Sequence, residues 1–264
     1  MDVLKRNNVS VTGQGAHSIV FAHGFGLDQT AWDAVSPAFE AKYRVIRFDH
    51  VGAGHSDAKA YDSERYSSLN AYAADLIEIL DALDLYNVIF VGHSVGAMIG
   101  MLGAIAAPDR IASLVMVCPS PHYMDEPGYV GGFSRSDLDE LLEMVDSNFL
   151  GWSRQAAPAI MANPERPELG EALGNSFCQT DPTIAREFAR VTFMSDHRAD
   201  LHKCTAPTLI LQTRSDMIAP EEVGRFMADK MPDAEFILMA ATGHCPHISA
   251  LKETIAAIQR AAPL

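Results

Sequence analysis

A chain of 264 residues is long enough for one large domain or for a core carrying an insertion, and its 48% hydrophobic content supplies a sizeable buried interior. Lysine and arginine number 20 against 34 aspartates and glutamates, a formal charge of −14. That balance fits plain solubility and argues against gripping a nucleic-acid backbone or an anionic membrane by charge.

In chain order, the start from Met1 to Asn8 lacks the apolar core of a signal peptide. Ser18 to Ala22 reads as a short buried strand ending at Gly24, Thr30 to Phe39 as a helix, and Tyr43 to Phe48 as the next strand. Leu69 to Leu83 carries Leu69, Tyr72, Ala73, Leu76, Ile77, Leu80 and Leu83 at helical spacing. Asn87 to Val91 is an apolar, β-branched strand, and Ala97 to Ala107 a helix stopped by Pro108. That helix holds the longest apolar run, well short of the roughly 18 residues of a membrane span. Ser113 to Cys118 makes another strand. The alternation of strands and helices implies an α/β protein with a mostly parallel central sheet and helices on both faces.

After Cys118 the pattern breaks at Pro119-Ser120-Pro121. Four helical segments follow, Asp137 to Met144, Asn148 to Ile160, Pro167 to Phe177 and Thr183 to Met194, with no convincing strand among them. Strands resume at Thr208 to Gln212 and Glu235 to Met239, separated by a helix from Glu221 to Met231, and Ile248 to Ala261 closes the chain as a helix. The expected organisation is an α/β core over residues 1–118 and 204–264, interrupted by a helical insertion over residues 119–203. Cys118, Cys178, Cys204 and Cys245 are scattered without a C-x-x-C pair. Neither a zinc site nor a redox motif is indicated, and the thiols read as reduced in a cytoplasmic protein.

Gly92-His93-Ser94-Val95-Gly96 fits G-x-S-x-G and stands between a strand and a helix, where that motif has a mechanical meaning. A serine on a sharp strand-to-helix turn is held with its hydroxyl exposed, and the turn needs small neighbours. The helix N-terminus behind it favours negative charge. Such a nucleophile needs a base, and the base an orienting acid, in the chain order serine, acid, histidine. Asp216 and His244 meet that order, each in a loop after a sheet strand, the edge at which open parallel sheets bind ligands. Asp216 alone is equally a turn residue, since aspartate is common after strands. His247 is a rival to His244 but enters the final helix. His93, inside the elbow, points away from the hydroxyl and reads as structural support, and Asp196 and His197 lack a preceding strand. Two backbone donors are expected to face a developing oxyanion: the N–H of Val95 and, from the loop His23-Gly24-Phe25-Gly26, that of Phe25.

Several stretches together resemble the α/β-hydrolase superfamily and, within it, the bacterial RsbQ family and its plant relatives, the karrikin and strigolactone receptors. They are Phe21 to Gly26, Phe48 to Asp57, Val91 to Gly100, Pro119 to Pro121, Gly131 to Phe133, Phe193 to Arg198 and Gly243 to His247. The resemblance implies a four-helix, V-shaped lid over a small, deep, aromatic pocket, with Ser94, Asp216 and His244 as the triad. It carries over Phe25, Tyr123, Phe133, Trp152, Phe193 and Ser195 as pocket lining, with His93 and Val95 flanking the nucleophile. Two functions are then expected. One is a serine hydrolase for a small hydrophobic ester or lactone, needing no metal or organic cofactor. The other is a ligand-sensing signalling protein with slow hydrolysis, whose partner in the RsbQ pathway is a PAS-domain phosphatase. A haloalkane dehalogenase would need an aspartate at position 94, whereas cofactor-free haloperoxidases and carbon–carbon hydrolases share the triad.

Overall fold

In the computed structural model, which describes residues 2–262, seven strands form one sheet. The chain begins with a short helix α1 (Val3–Arg6) and strand β1 (Ser10–Thr12), then β2 (His17–Ala22), β3 (Tyr43–Phe48), helix α2 (Leu69–Ala82), β4 (Val88–His93), α3 (Val95–Ala106) and β5 (Ile111–Val117). Three helices follow, α4 (Arg135–Met161), α5 (Pro167–Phe177) and α6 (Pro182–Phe193). The chain closes with β6 (Thr208–Thr213), α7 (Glu221–Lys230), β7 (Ala234–Met239), α8 (Pro246–Ser249) and α9 (Leu251–Ala261). The sheet order is β1-β3-β2-β4-β5-β6-β7; only β1, at the edge, runs antiparallel, pairing Val11 with Ile46. From β2 the chain winds outward to β3 and then returns to place β4 on the other flank of β2, so the topological switch lies between β2 and β4. Side chains of successive strand residues leave opposite faces. Val20, Ile46, Phe90 and Leu114 therefore pack against α2, α3 and α7, while Phe21, Val45, Val91 and Val115 pack with Trp32, Phe39 and Ile258. Gly100 brings α3 onto the sheet, because a Cβ there would stand 2.1 Å from the Phe90 ring.

The expected helix over Thr30 to Phe39 is instead two short 3₁₀ turns, Gln29–Trp32 and Ser36–Ala38. Asp28 caps the first through the Thr30 amide (2.8 Å), and Pro37, which lacks an N–H and crowds the preceding turn, prevents one continuous helix. The apolar spacing still serves burial, since Trp32, Val35 and Phe39 are all buried. The segments expected at Asp137 to Met144 and Asn148 to Ile160 are two limbs of α4. Asn148 leaves helical geometry between them (φ −152°, ψ 70°) and its Oδ1 accepts the Gly151 N–H at 3.0 Å, capping the second limb. With α5 and α6 this makes four helical limbs, whose apolar faces meet Leu27, Tyr123, Ile218 and Cys245 over the carboxyl ends of the strands. The closing helix is broken at Ala250 into α8 and α9. Among the described residues, no helix is long and apolar enough to cross a membrane.

Candidate active site

Ser94 follows the last residue of β4 and caps α3 with φ 54° and ψ −123°, a backbone conformation that L-residues avoid. The turn is closed by small residues. A Cβ at Gly92 would lie 2.5 Å from Ala97 Cα, and one at Gly96 2.3 Å from the His23 carbonyl oxygen. The Ser94 N–H donates to the Val117 carbonyl (2.8 Å), which fixes the elbow to β5.

Three loops converge on the hydroxyl. His244 Nε2 lies 2.8 Å from Ser94 Oγ, and His244 Nδ1 lies 2.7 Å from Asp216 Oδ2. A carboxylate only accepts, so the proton sits on Nδ1 and Nε2 accepts from the serine hydroxyl. The other oxygen of Asp216 accepts the N–H groups of Ile218 (2.8 Å) and Ala219 (3.2 Å), which orients the carboxylate. All three side chains are buried. Cys118, at the end of β5, places its sulfur within 4.8 Å of the Asp216 and His244 ligand atoms. Burial first, and then the Asp216 charge, push the Cys118 thiol well above the usual range. The hydrogen-bonded series runs from the Ser94 hydroxyl through His244 to Asp216.

The N–H groups of Val95 and Phe25 sit at the first position of α3 and in the loop after β2, following the two strands that meet at the switch point. Among the described residues neither donates to a protein acceptor. Two such amides beside a nucleophile can receive an oxyanion.

Above Ser94 lies a cavity of about 30 Å³, walled by Phe25, Tyr123, Trp152, Phe193 and the elbow residue His93. Phe25 is its hub. Its ring centroid stands 5.9 Å from Phe177 and Phe188, 6.1 Å from Phe193 and 6.4 Å from Trp152. Two expected lining residues lie elsewhere. Phe133 packs edge-on behind Phe193 (6.2 Å) and faces an outer groove of about 330 Å³. Ser195 turns its hydroxyl back to the Thr192 carbonyl (2.8 Å) and faces a cleft beside Tyr61 and Tyr66. Leu27, Ile160, Leu173, Phe177, Thr192, Ile218 and Cys245 also line the inner cavity and were not expected from the sequence. Phe177 and Thr192 carry a legible signal, the inward stripe of an amphipathic helix; Ile218 carries none. The ring of His93 is turned from the serine hydroxyl, its Nε2 lying 2.8 Å from the carbonyl oxygen of His244. His247 lies behind it, tilted, with ring centroids 4.2 Å apart, and does not reach the hydroxyl's partners.

Residues 19–257 match the model of the alpha/beta hydrolase family. The chain belongs to that family. The hydrolase is 35% identical to "Karrikin insensitive 2 receptor CA" of Petunia hybrida, covering 94% of this chain and 92% of the relative. It is 35% identical to "Strigolactone esterase RMS3" of Pisum sativum, over 94% and 93%. A solved hydrolase from Oleispira antarctica, olei00960, superposes with a TM-score of 0.95 at 43% identity, over 98% of this chain and 95% of that one. Fold and family together make this protein a hydrolytic enzyme.

Proposed function

We propose that this hydrolase cleaves a small hydrophobic ester or lactone through an acyl-enzyme on Ser94. The reading rests on one observation, the hydrogen-bonded series Ser94–His244–Asp216. Ser94 Oγ attacks the carbonyl carbon as its proton passes to His244 Nε2, and Asp216 stabilises the imidazolium. The oxyanion is received by the Phe25 and Val95 amides, each such donor contributing ~3 kcal/mol to the transition state. The tetrahedral adduct collapses, His244 gives its proton to the departing alkoxide, and water, deprotonated by the same histidine, releases the acid and restores Ser94. The helical limbs between residues 119 and 203 act as a lid that supplies the apolar walls.

The nearly filled cavity favours a second reading, slow hydrolysis coupled to ligand sensing, with the lid surface engaging a regulatory partner of the PAS-domain kind. Turnover of p-nitrophenyl acetate and butyrate by wild type and Ser94→Ala, followed past one enzyme equivalent, separates the two. Steady turnover that vanishes in Ser94→Ala supports a working esterase, and a burst of about one equivalent that stalls supports the sensor. Unchanged turnover in a folded Ser94→Ala protein would sink the nucleophile assignment.

A further inference from the structure

The main chain of His244 is gripped on both sides of its Cα. Its N–H donates to the carbonyl of Ile160 at 2.8 Å, in the last turn of α4. Its carbonyl lies 2.8 Å from His93 Nε2. A carbonyl only accepts, so the His93 proton is on Nε2 and the donor is the imidazole. The ring has little room to turn away, because a Cβ on Gly24 would stand 2.5 Å from its Nδ1. Burial above all, with the neighbouring His247 and His244, pushes the pKa of His93 well below its usual value, so the ring is neutral. On the lid side the fit is equally close: Gly243 has φ +82°, and a Cβ there would lie 1.9 Å from the Met161 carbonyl oxygen.

We propose that His93 is a positioning residue of the reaction, fixing the main chain of His244 from the core while the C-terminal turn of α4 fixes it from the lid. The proposal rests on His244 being the base. His93 is the last residue of β4 and precedes Ser94 in the elbow. One rigid turn thus sets the nucleophile through its own backbone and the base through its neighbour's imidazole. The Ser94–His244 distance is then governed by adjacent residues rather than by the long path through β7. Without the His93 donor, the buried His244 carbonyl loses its partner and the loop is free to relax toward another donor. A displacement of the base by about 1 Å costs on the order of 100-fold in rate.

The test compares His93→Gln with His93→Met, side chains of equal length of which only glutamine offers an N–H near the position of Nε2. Turnover of p-nitrophenyl butyrate is measured, with the rate of Ser94 labelling by a fluorophosphonate normalised to the sites labelled at completion, so that only folded chains count. The expected result is a ~100-fold fall in kcat for His93→Met, with at least ~10-fold recovered in His93→Gln. A purely structural role would leave the two variants alike once normalised, and that result, or a wild-type kcat in His93→Met, overturns the proposal. Ser94→Ala and His244→Ala run alongside. Turnover persisting in those variants would overturn the triad reading itself, a different failure from wild-type behaviour in His93→Met.

Discussion

Gly96 carries the closest approach in the elbow, and Gly96→Ala measures what that approach does. The added Cβ would lie 2.3 Å from the His23 carbonyl oxygen and 3.0 Å from that of Ala22. Real Cβ atoms essentially never come within 3.0 Å, so α3 and the end of β2 must part by at least 0.7 Å (3.0 − 2.3). Both obstacles are backbone, and no flexible side chain can swing aside. The parted elements carry the Val95 and Phe25 amides, so the separation opens the anion site itself. Overpacking of this kind costs ~1–3 kcal/mol of stability, which a chain of this size survives folded. Misplacing the donors by this much lowers kcat by roughly 100-fold, with KM little changed because the aromatic walls are untouched. The assay is kcat and KM on p-nitrophenyl butyrate with a melting curve beside it. A folded Gly96→Ala enzyme with wild-type kcat would refute the claim that the spacing between β2 and α3 sets the oxyanion geometry.

Three further outcomes are expected. Asp216→Asn keeps an oxygen for the Ile218 and Ala219 amides but no longer holds the proton on His244 Nδ1, so kcat falls by ~10⁴ with the loop intact; a loss under tenfold would remove Asp216 from the relay. Among the described residues the buried Thr192 hydroxyl has no hydrogen-bond partner, so Thr192→Val raises stability by ~1 kcal/mol in urea unfolding, and a drop of that size would mean the hydroxyl is satisfied. His247 is buried and neutral, its pKa lowered by desolvation to about 3. The unfolded chain binds a proton there below ~6.5 and the folded chain does not, so this residue drains stability as pH falls from ~6.5 toward 3, at up to ~1.4 kcal/mol per pH unit. His247→Leu flattens that part of the stability–pH curve, and an unchanged slope between pH 6 and 4 would contradict the assignment.

The elements that hold the reacting groups were legible because their signals are local. A β-branched strand, two glycines around Ser94 and an apolar helix leave few alternatives, and chain order then selects Asp216 and His244 from the other candidates. What escaped depends on contacts distant in sequence. β1 has only three residues and is defined by its pairing with β3. The break at Asn148 is the exception, since the apolar spacing already divides Asp137 to Met144 from Asn148 to Ile160. Phe133 and Ser195 each lie beside a true lining residue, and a resemblance transfers the neighbourhood without the orientation of the side chain. The Ile160–His244 bond joins two backbones and has no sequence signature at all.

The aromatic shell around Phe25 also governs time. Its cavity of about 30 Å³ holds a water or two, while the outer groove of about 330 Å³ lies just beyond Trp152, Ile160 and Ile218, which line both spaces. A molecule that reaches the groove meets these three side chains before Ser94. Where they must part to admit it, its association rate is the encounter rate multiplied by the fraction of time they stand open. The same barrier delays departure, so uptake and residence lengthen together and both respond steeply to temperature. Selection by shape is thereby exercised at the threshold, before a molecule meets Ser94.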